Sequence, residues 1–597
     1  MSCGANSIKH ATSISAVLLA SIFAFPLPAG AQAGAPAAKP AGSPAKPRLV
    51  VLLVVDQMRA DYIEKFRAQW TGGLKRLVAE GAWFRDAAYP YAATETCVGH
   101  ATISTGSFPS VHGMISNEWW DREAQKHVTC TADSRVKNIG YGGVSVTGGD
   151  SAAKLLVPAF ADELKFQSGA GTRVVTFSLK ARAAIPLGGR QGDAVTWFDP
   201  EVGAWTTSSA YPVAAFVNEY AKAHPVASDF GKTWALLLPS SAYLYNETAT
   251  GAIPPAGLGT AFPHPLRGKP DSTGPDSGFY DQWQTSPYAD TYLAQLAETA
   301  VDKLSLGNRA GTDFLGVSFS SVDYVGHAFG PRSWEIQDVL ARLDRDLGKL
   351  FVHLDQKVGK GNYIVAFTAD HGVVPIPEDL LKTGMDAGWL NLEAVKQQIE
   401  KALAPFNYAK PAIAQMGAGV GDVYFTPGTY DKLKADPVAL RAVLDAVQNV
   451  PGVAHVYRAE ELEDRPATKS SIRTAEADSF FRPRSGDLMI VPKPFWPWDS
   501  STPGTPRGYG TTHGTPYFYD QRVPVILMGY GIQPGEYYSG TTPADIAPTL
   551  ASVCGITLAR RDGRVLAEAL KKPAEARAPS QPARSKPASS SASNINP

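Results

Sequence analysis

"RLVVLLVVD" (Arg48–Asp56) sets seven consecutive apolar residues, Leu49 to Val55, directly before an aspartate. A run with no polar side to turn to water reads as a strand buried on both faces, as in a parallel sheet covered by helices. Four more runs have the same character: "RVVTFS" (173–178), "FLGVSF" (314–319), "YIVAFT" (363–368) and "PVILMG" (524–529). All five are expected to be parallel strands. Helical patterns alternate with them. The clearest is "WEIQDVLARLDRDLGKLFVHLDQKV" (334–358), which puts Ile336, Leu340, Leu343, Leu347, Leu350 and Leu354 on one stripe. The alternation predicts an α/β fold, a mostly parallel central sheet with helices on both faces.

Outward from this frame, the chain divides by composition. Residues 1–33 begin with Lys9 and His10 before the apolar run "SAVLLASIFAF" and end on Ala31 and Ala33, the pattern of a cleaved secretory signal peptide. Residues 34–47 are a Pro/Ala linker. Residues 571–597 have almost no apolar side chains larger than Ala and are expected to be disordered. Between them, 48–570 reads as one catalytic domain. Two stretches interrupt its α/β rhythm, at about 187–290, rich in Gly, Pro and aromatics, and at about 395–485, which holds the helical pattern "DPVALRAVLDAVQNV". Both are read as insertions over one rim of the sheet that shape a substrate entrance.

Lys plus Arg and Asp plus Glu both number 56, so no basic excess exists to drive binding to nucleic acid or to an anionic membrane. No second long apolar stretch follows the signal sequence, and a monomer in the periplasm or medium is expected. Past residue 33 three cysteines remain, Cys97, Cys130 and Cys554. One disulfide is possible, and without a C-x-x-C no thiolate zinc cluster is.

The polar residues that follow the strands carry the chemistry. Asp56 follows the first. Asp323 and then His327 follow "FLGVSF", and Asp370 and His371 follow "YIVAFT". Ligands of open α/β sheets bind at the carboxyl ends of the strands. Asp and His without Cys suit zinc or a similar divalent ion. Two ions need six or seven ligands, so a further His is wanted, and "YGTTHGTPYFYD" offers His513 in a loop of small residues.

"ATETCVGHATISTG" (93–106) offers Thr96, Cys97 and His100 as candidate reactive groups. A threonine held on a metal loses its proton more readily. A helix opening just after Thr96 would turn backbone N–H groups toward a phosphate. Thr96 can therefore be the nucleophile without a histidine base.

With these residues in place, the chain resembles the alkaline phosphatase superfamily. Within it, it is similar to the phosphate-irrepressible, Thr-nucleophile bacterial alkaline phosphatases, which belong with the nucleotide pyrophosphatase/phosphodiesterase branch. The resemblance runs from Arg48 to Leu566. It is carried by "VVDQMRADY", "TGGLKRLVAEGAWF", "ATETCVGHATISTGSFPSVHGMISNEWW", "SLKARAAI", "SSVDYVGHAFGP", "TADHG", "SGDLMIVPKP" and "THGTPYFYDQRVPV".

It implies one zinc at Asp56, Thr96, Asp370 and His371 and a second at Asp323, His327 and His513. It also implies Thr96 as nucleophile, Asn117 in "ISNEWW" on a phosphate oxygen, and Lys180 and Arg182 as the phosphate-binding Lys-x-Arg pair. Ala181 stands where many relatives carry Asp. Read as an extended segment, Lys180 and Arg182 would point to the same side. Cys97 is then a small residue under the helix start, since "CVGHA" lacks the Pro and Arg of the sulfatase motif. His100 packs or hydrogen-bonds, and His112, Trp119 and Trp120 are structural. The implied activity is hydrolysis of small phosphate monoesters through a covalent phosphothreonine. A phosphodiesterase or nucleotide pyrophosphatase on the same metal site is the alternative.

Overall fold

All five apolar runs form strands, because each has a way to bury both of its faces. The computed structural model describes residues 46–571 apart from 170, 418, 420 and 464–469. The expected signal peptide, nearly all of the linker and all but the first residue of the tail lie outside the described residues.

The central sheet has ten strands, numbered along the chain: β1 (Leu49–Val55), β2 (Gly81–Phe84), β3 (Asn138–Gly140), β4 (Val174–Ser178), β5 (Ala194–Asp199), β6 (Ala204–Ser208), β7 (Asp313–Phe319), β8 (Tyr363–Thr368), β9 (Val525–Gly529) and β10 (Gly535–Tyr537). Their order across the sheet is β10-β2-β9-β8-β1-β7-β4-β5-β6-β3. From β8 through β5 every pairing is parallel.

Successive residues of β1 serve two cores. Leu49, Val51, Leu53 and Val55 join one hydrophobic cluster, while Val50, Leu52 and Val54 join another, as the period-2 alternation of a strand requires. The first cluster contains the whole expected stripe of the long helix, Ile336 to Leu354, each residue at most 1% exposed. The second is built with Phe160, Leu164, Ile546 and Leu550.

Four helices frame the carboxyl edge of the sheet or pack beneath it: α1 (Thr96–Thr105), α2 (Ala181–Gly188), α3 (Ser321–Phe329) and α4 (Trp334–Leu354). Helix α4 starts where Ser333 Oγ accepts the Ile336 N–H at 3.2 Å, an N-cap of the usual type.

Two expectations change. β9 is antiparallel to both β8 and β2, not parallel. An unbroken apolar run reports that both faces are covered but carries no information on strand direction. Residues 187–290 are not wholly an insertion either, because β5 and β6 fall inside that stretch and extend the central sheet. These short strands sit among Gly, Pro and polar residues that hide their pattern. Around 395–485 the chain forms a second, smaller sheet. Ile413–Met416, Asp422–Phe425, Val453–Arg458 and Leu488–Pro492 form a four-stranded antiparallel sheet. Helices Leu392–Leu403 and Pro437–Gln448 pack into its own core with Val395, Ile399, Val443 and Val447.

Candidate active site

Sheet order places the expected ligands side by side. Asp370, Asp56 and Asp323 follow the carboxyl ends of β8, β1 and β7, three neighbouring strands, and Lys180 follows β4, the next. β9 runs the other way, so the segment that leads into it arrives at this same edge of the sheet and brings His513. The strand direction that the sequence did not disclose is thus what allows a late loop to complete the cluster.

The donor atoms converge. Ligand atoms of Asp56, Asp370 and His371 lie within 4.8 Å of one another, and so do those of Asp323, His371 and His513. His327 Nε2 is 3.3 Å and His513 Nε2 3.8 Å from Asp323 Oδ1. His371 Nε2 is 3.4 Å from Asp56 Oδ1 and 3.5 Å from Asp370 Oδ2.

The tautomers follow from the backbone. His371 Nδ1 bonds the Gly372 carbonyl at 2.9 Å, His327 Nδ1 the Thr511 carbonyl at 2.8 Å, and His513 Nδ1 the Thr94 carbonyl at 2.8 Å. A carbonyl only accepts, so Nδ1 carries the proton and Nε2 presents a lone pair. Burial pushes the His371 and His513 pKa values down, which keeps these rings neutral.

Three imidazole lone pairs therefore face carboxylate oxygens. Among the described residues Asp56 Oδ1, Asp370 Oδ2 and His371 Nε2 are buried without a hydrogen-bond partner, and His100 Nδ1 lies 3.2 Å from Asp370 Oδ2. Buried acceptors pointed at each other are costly unless a cation lies between them. The donor set, carboxylates and imidazoles oriented by second partners, suits a divalent ion such as zinc.

Lys180 braces this centre. Its ammonium lies 2.5 Å from both Asp56 Oδ2 and Asp323 Oδ2. These are the oxygens opposite those that face the histidines, so one lysine ties a carboxylate of each group to the other. Two of its three donors are committed and one remains.

The extended reading of "LKAR" is corrected here. Lys180 is extended, but Ala181 and Arg182 open helix α2, and the Lys180 carbonyl accepts from Ala183 and Ala184. The two side chains do not share a strand face. The Ala-rich sequence after Lys180 favours helix as soon as β4 ends. Among the described residues Arg182 Nε is buried without a hydrogen-bond partner.

Thr96 is the first residue of α1 and is 1% exposed. The first turn of α1 sits directly on the Asp370 loop: a Cβ on Gly99 would fall 2.2 Å from the Asp370 carbonyl oxygen, so only glycine fits. The Cys97 N–H donates to Asn117 Oδ1 at 2.9 Å, which orients the amide of Asn117 against the helix N-terminus. Cys97 is not merely a small packed residue, since it forms a disulfide with Cys130, while Cys554 is a buried free thiol. No spacing rule pairs cysteines 33 residues apart.

His100 is a hydrogen-bonding residue as expected, with Nδ1 on the Thr96 carbonyl and Nε2 on Ser318 Oγ, both at 2.8 Å. His112 bonds Thr102 and the Met114 N–H, and Trp119 is buried in a cluster with both cysteines, so these too are structural. Trp120 is partly buried at the edge of that cluster.

Two residues escaped the sequence reading. Gln57 has φ 66°, donates its backbone N–H to Asp370 Oδ1 at 3.0 Å and its Nε2 to Asp323 Oδ1 at 2.7 Å. A Cβ on Gly326 would overlap its Oε1 at 1.7 Å. Glu95 accepts from Ser116 Oγ at 2.8 Å and from the Asn117 N–H at 2.6 Å, and burial raises its pKa to about 7. The only sequence signal for either was a polar residue beside an expected ligand or nucleophile.

The four-stranded unit and its neighbours reach the site through the backbone. Ser479 Oγ accepts from Ala92 and Ala93 at 2.8 and 3.0 Å, just upstream of Thr96, and Trp498 Nε1 donates to the Gly514 carbonyl at 3.0 Å, next to His513.

Residues 50–515 match the model of the family described as type I phosphodiesterase / nucleotide pyrophosphatase. Over 526 residues the chain is 33% identical to the alkaline phosphatase PafA of Elizabethkingia meningoseptica, covering 86% of this chain and 92% of that one. Over 528 residues it is 31% identical to a Myroides odoratus protein named calcium-transporting ATPase, with the same two coverages. A crystal structure of wild-type PafA superimposes with a TM-score of 0.77 at 31% identity, covering 89% of this chain and all of that one. Among the described residues no helix is long and apolar enough to cross a membrane.

Proposed function

Because the chain belongs to the type I phosphodiesterase/nucleotide pyrophosphatase family and is an alkaline phosphatase within it, we propose that it hydrolyses small phosphate monoesters through a covalent phosphothreonine at Thr96. The observation that carries this reading is the convergence of inward-facing Nε2 atoms and unpartnered carboxylate oxygens beside the N-terminus of α1. Asp56, Asp370 and His371, with Thr96, would hold one zinc, and Asp323, His327 and His513 the other. When bound, two such ions supply positive charge to the entering and the leaving oxygen of an in-line displacement.

The chain's own residues do the rest. Thr96 releases its hydroxyl proton to solvent, and its oxygen forms a bond to phosphorus as the ester P–O bond breaks and the leaving oxygen takes a proton from water. The leaving oxygen departs on the opposite side, toward Asp323, His327 and His513. The Asn117 amide, with its oxygen engaged by Cys97, would offer its NH2 to a phosphate oxygen. The unpartnered N–H of Arg182 and the third donor of Lys180 suit the charged oxygens that distinguish a monoester from a diester. Water then attacks phosphorus as the Thr96 O–P bond breaks, a proton returns to the Thr96 oxygen, and inorganic phosphate is released. Preorganised charge and positioning supply most of the acceleration, since phosphoryl transfer needs little covalent help.

Cleavage of residues 1–33 and export to the periplasm or medium are part of this proposal. The Cys97–Cys130 disulfide supports it, because such bonds persist in oxidising compartments. We take the active species to be a monomer. The test is kcat/KM for an aryl phosphate and its diester analogue, measured before chelation, after chelation and after return of zinc. Zinc-restored activity that favours the monoester supports the proposal. A diester preference would install the phosphodiesterase reading, and full activity without metal would remove the two-zinc site.

A further inference from the structure

We propose that Cys97 and Cys130 are positioning residues for the reaction, because their disulfide fixes the two N–H groups that hold Asn117 over the start of α1. The Cys97 N–H donates to Asn117 Oδ1 and the Cys130 N–H donates to the Asn117 carbonyl, each at 2.9 Å. The sulfurs of those same two residues are bonded to each other. Side chain, backbone and disulfide thus close a ring around Asn117, with the residue after the nucleophile as one of its corners.

The geometry explains why a covalent tie belongs there. Asn117 leads into a hairpin, Glu118–Asp121 against Lys126–Thr129, which ends at Cys130. Thr96 belongs to a different element, the helix α1. Besides the disulfide, Asn117 is tied to the Thr96 segment by hydrogen bonds: Cys97 N–H to Oδ1, and its own N–H to Glu95 Oε2. Hydrogen bonds of this kind have modest net strength and can exchange with water. The cystine, buried among Met114, Ile115 and Trp119, holds the hairpin to the helix when they open. A group that must meet a phosphate oxygen tolerates little displacement.

This inference rests on Asn117 as a phosphate ligand, and the test separates the two. Replace both cysteines (Cys97→Ser with Cys130→Ser), replace Asn117→Ala, and combine the changes, in zinc-loaded full-length enzyme whose fold is checked by circular dichroism. Loss of the disulfide should lower kcat/KM for an aryl phosphate by about ten- to a hundred-fold, mostly in kcat, the scale of loss when a reacting group is displaced by an ångström. Inhibition by inorganic phosphate should weaken with it.

In the Asn117→Ala background the same cysteine replacement should cost less than about two-fold, because the pair acts through Asn117. Equal losses in both backgrounds would show that the disulfide supports the fold alone and would overturn the proposal. If Asn117→Ala itself costs nothing, the phosphate-ligand reading fails and this inference with it. Should the serine pair not fold, native enzyme reduced by a phosphine and thiol-blocked provides the same comparison. Full kcat/KM in that reduced enzyme would overturn the proposal.

Discussion

Asp370, Asp56 and Asp323 arrive on three adjacent strands, and His327, His371 and His513 are each aimed by a single backbone carbonyl. Thr96, Asn117 and Arg182 come instead from a helix start, a hairpin and a second helix, the first two tied to each other through Glu95 and a disulfide. The carboxylates of the proposed metal half inherit their spacing from the sheet, where neighbours in the ladder are fixed by main-chain hydrogen bonds. The proposed phosphate half depends on side chains that link separate elements. Precision in the first is a property of the fold. In the second it is a property of particular residues, and each of them can be removed singly.

Single substitutions probe that contrast, beginning with the largest expected loss of activity. Thr96→Ala should remove nearly all turnover, on the order of 10⁴- to 10⁶-fold as for other covalent nucleophiles. Thr96→Ser should keep measurable activity, because the hydroxyl survives. Trapping of labelled phosphate on the acid-quenched protein checks both, with label expected on the serine variant and none on the alanine variant.

Lys180 and Arg182 should separate next. A charge-assisted hydrogen bond contributes roughly 1.5–3 kcal/mol, so each alanine variant should lose about one to two decades in monoester kcat/KM. Lys180 also ties Asp56 to Asp323, so Lys180→Ala should lower diester turnover as well, though less than monoester turnover, which loses the third donor too. Arg182→Ala should fall mainly on the monoester. The opposite pattern would mean that Lys180 reads the substrate and Arg182 the framework.

Gln57→Ala withdraws a hydrogen bond from Asp323, while the backbone bond to Asp370 survives the substitution. Partners of metal ligands are typically worth about 10- to 100-fold in affinity or activity, and with one of two bonds left the lower end is expected. Zinc affinity measured by competition with a chelator should weaken in step with kcat/KM.

Leu347→Ala, in the buried stripe of α4, should leave kcat/KM of the folded enzyme unchanged. It should lower unfolding free energy by about 2–5 kcal/mol, read from a denaturant melt. An activity loss at a temperature where the variant is folded would show that the sheet edge is coupled to the core more tightly than the contrast allows.

The sequence by itself determined the five long apolar strands, the α4 stripe and the five Asp and His residues that follow three of those strands. These signals are local. Seven apolar residues in a row bury both faces of a strand, and an acid after such a run lands at the carboxyl end. The family motifs added Asn117, Lys180 and Arg182 as candidates but not their arrangement.

Tertiary structure alone decided that β9 turns antiparallel and so delivers His513 to the same edge. It decided that Lys180 spans two carboxylates brought together from β1 and β7, that Gln57 bridges Asp370 and Asp323, and that Cys97 pairs with Cys130. Each of these depends on which distant segments become neighbours across the sheet or the helix start. Apolar pattern and residue spacing report the burial of a segment and its local geometry. They carry no record of strand direction, or of which polar atom will meet which across hundreds of residues.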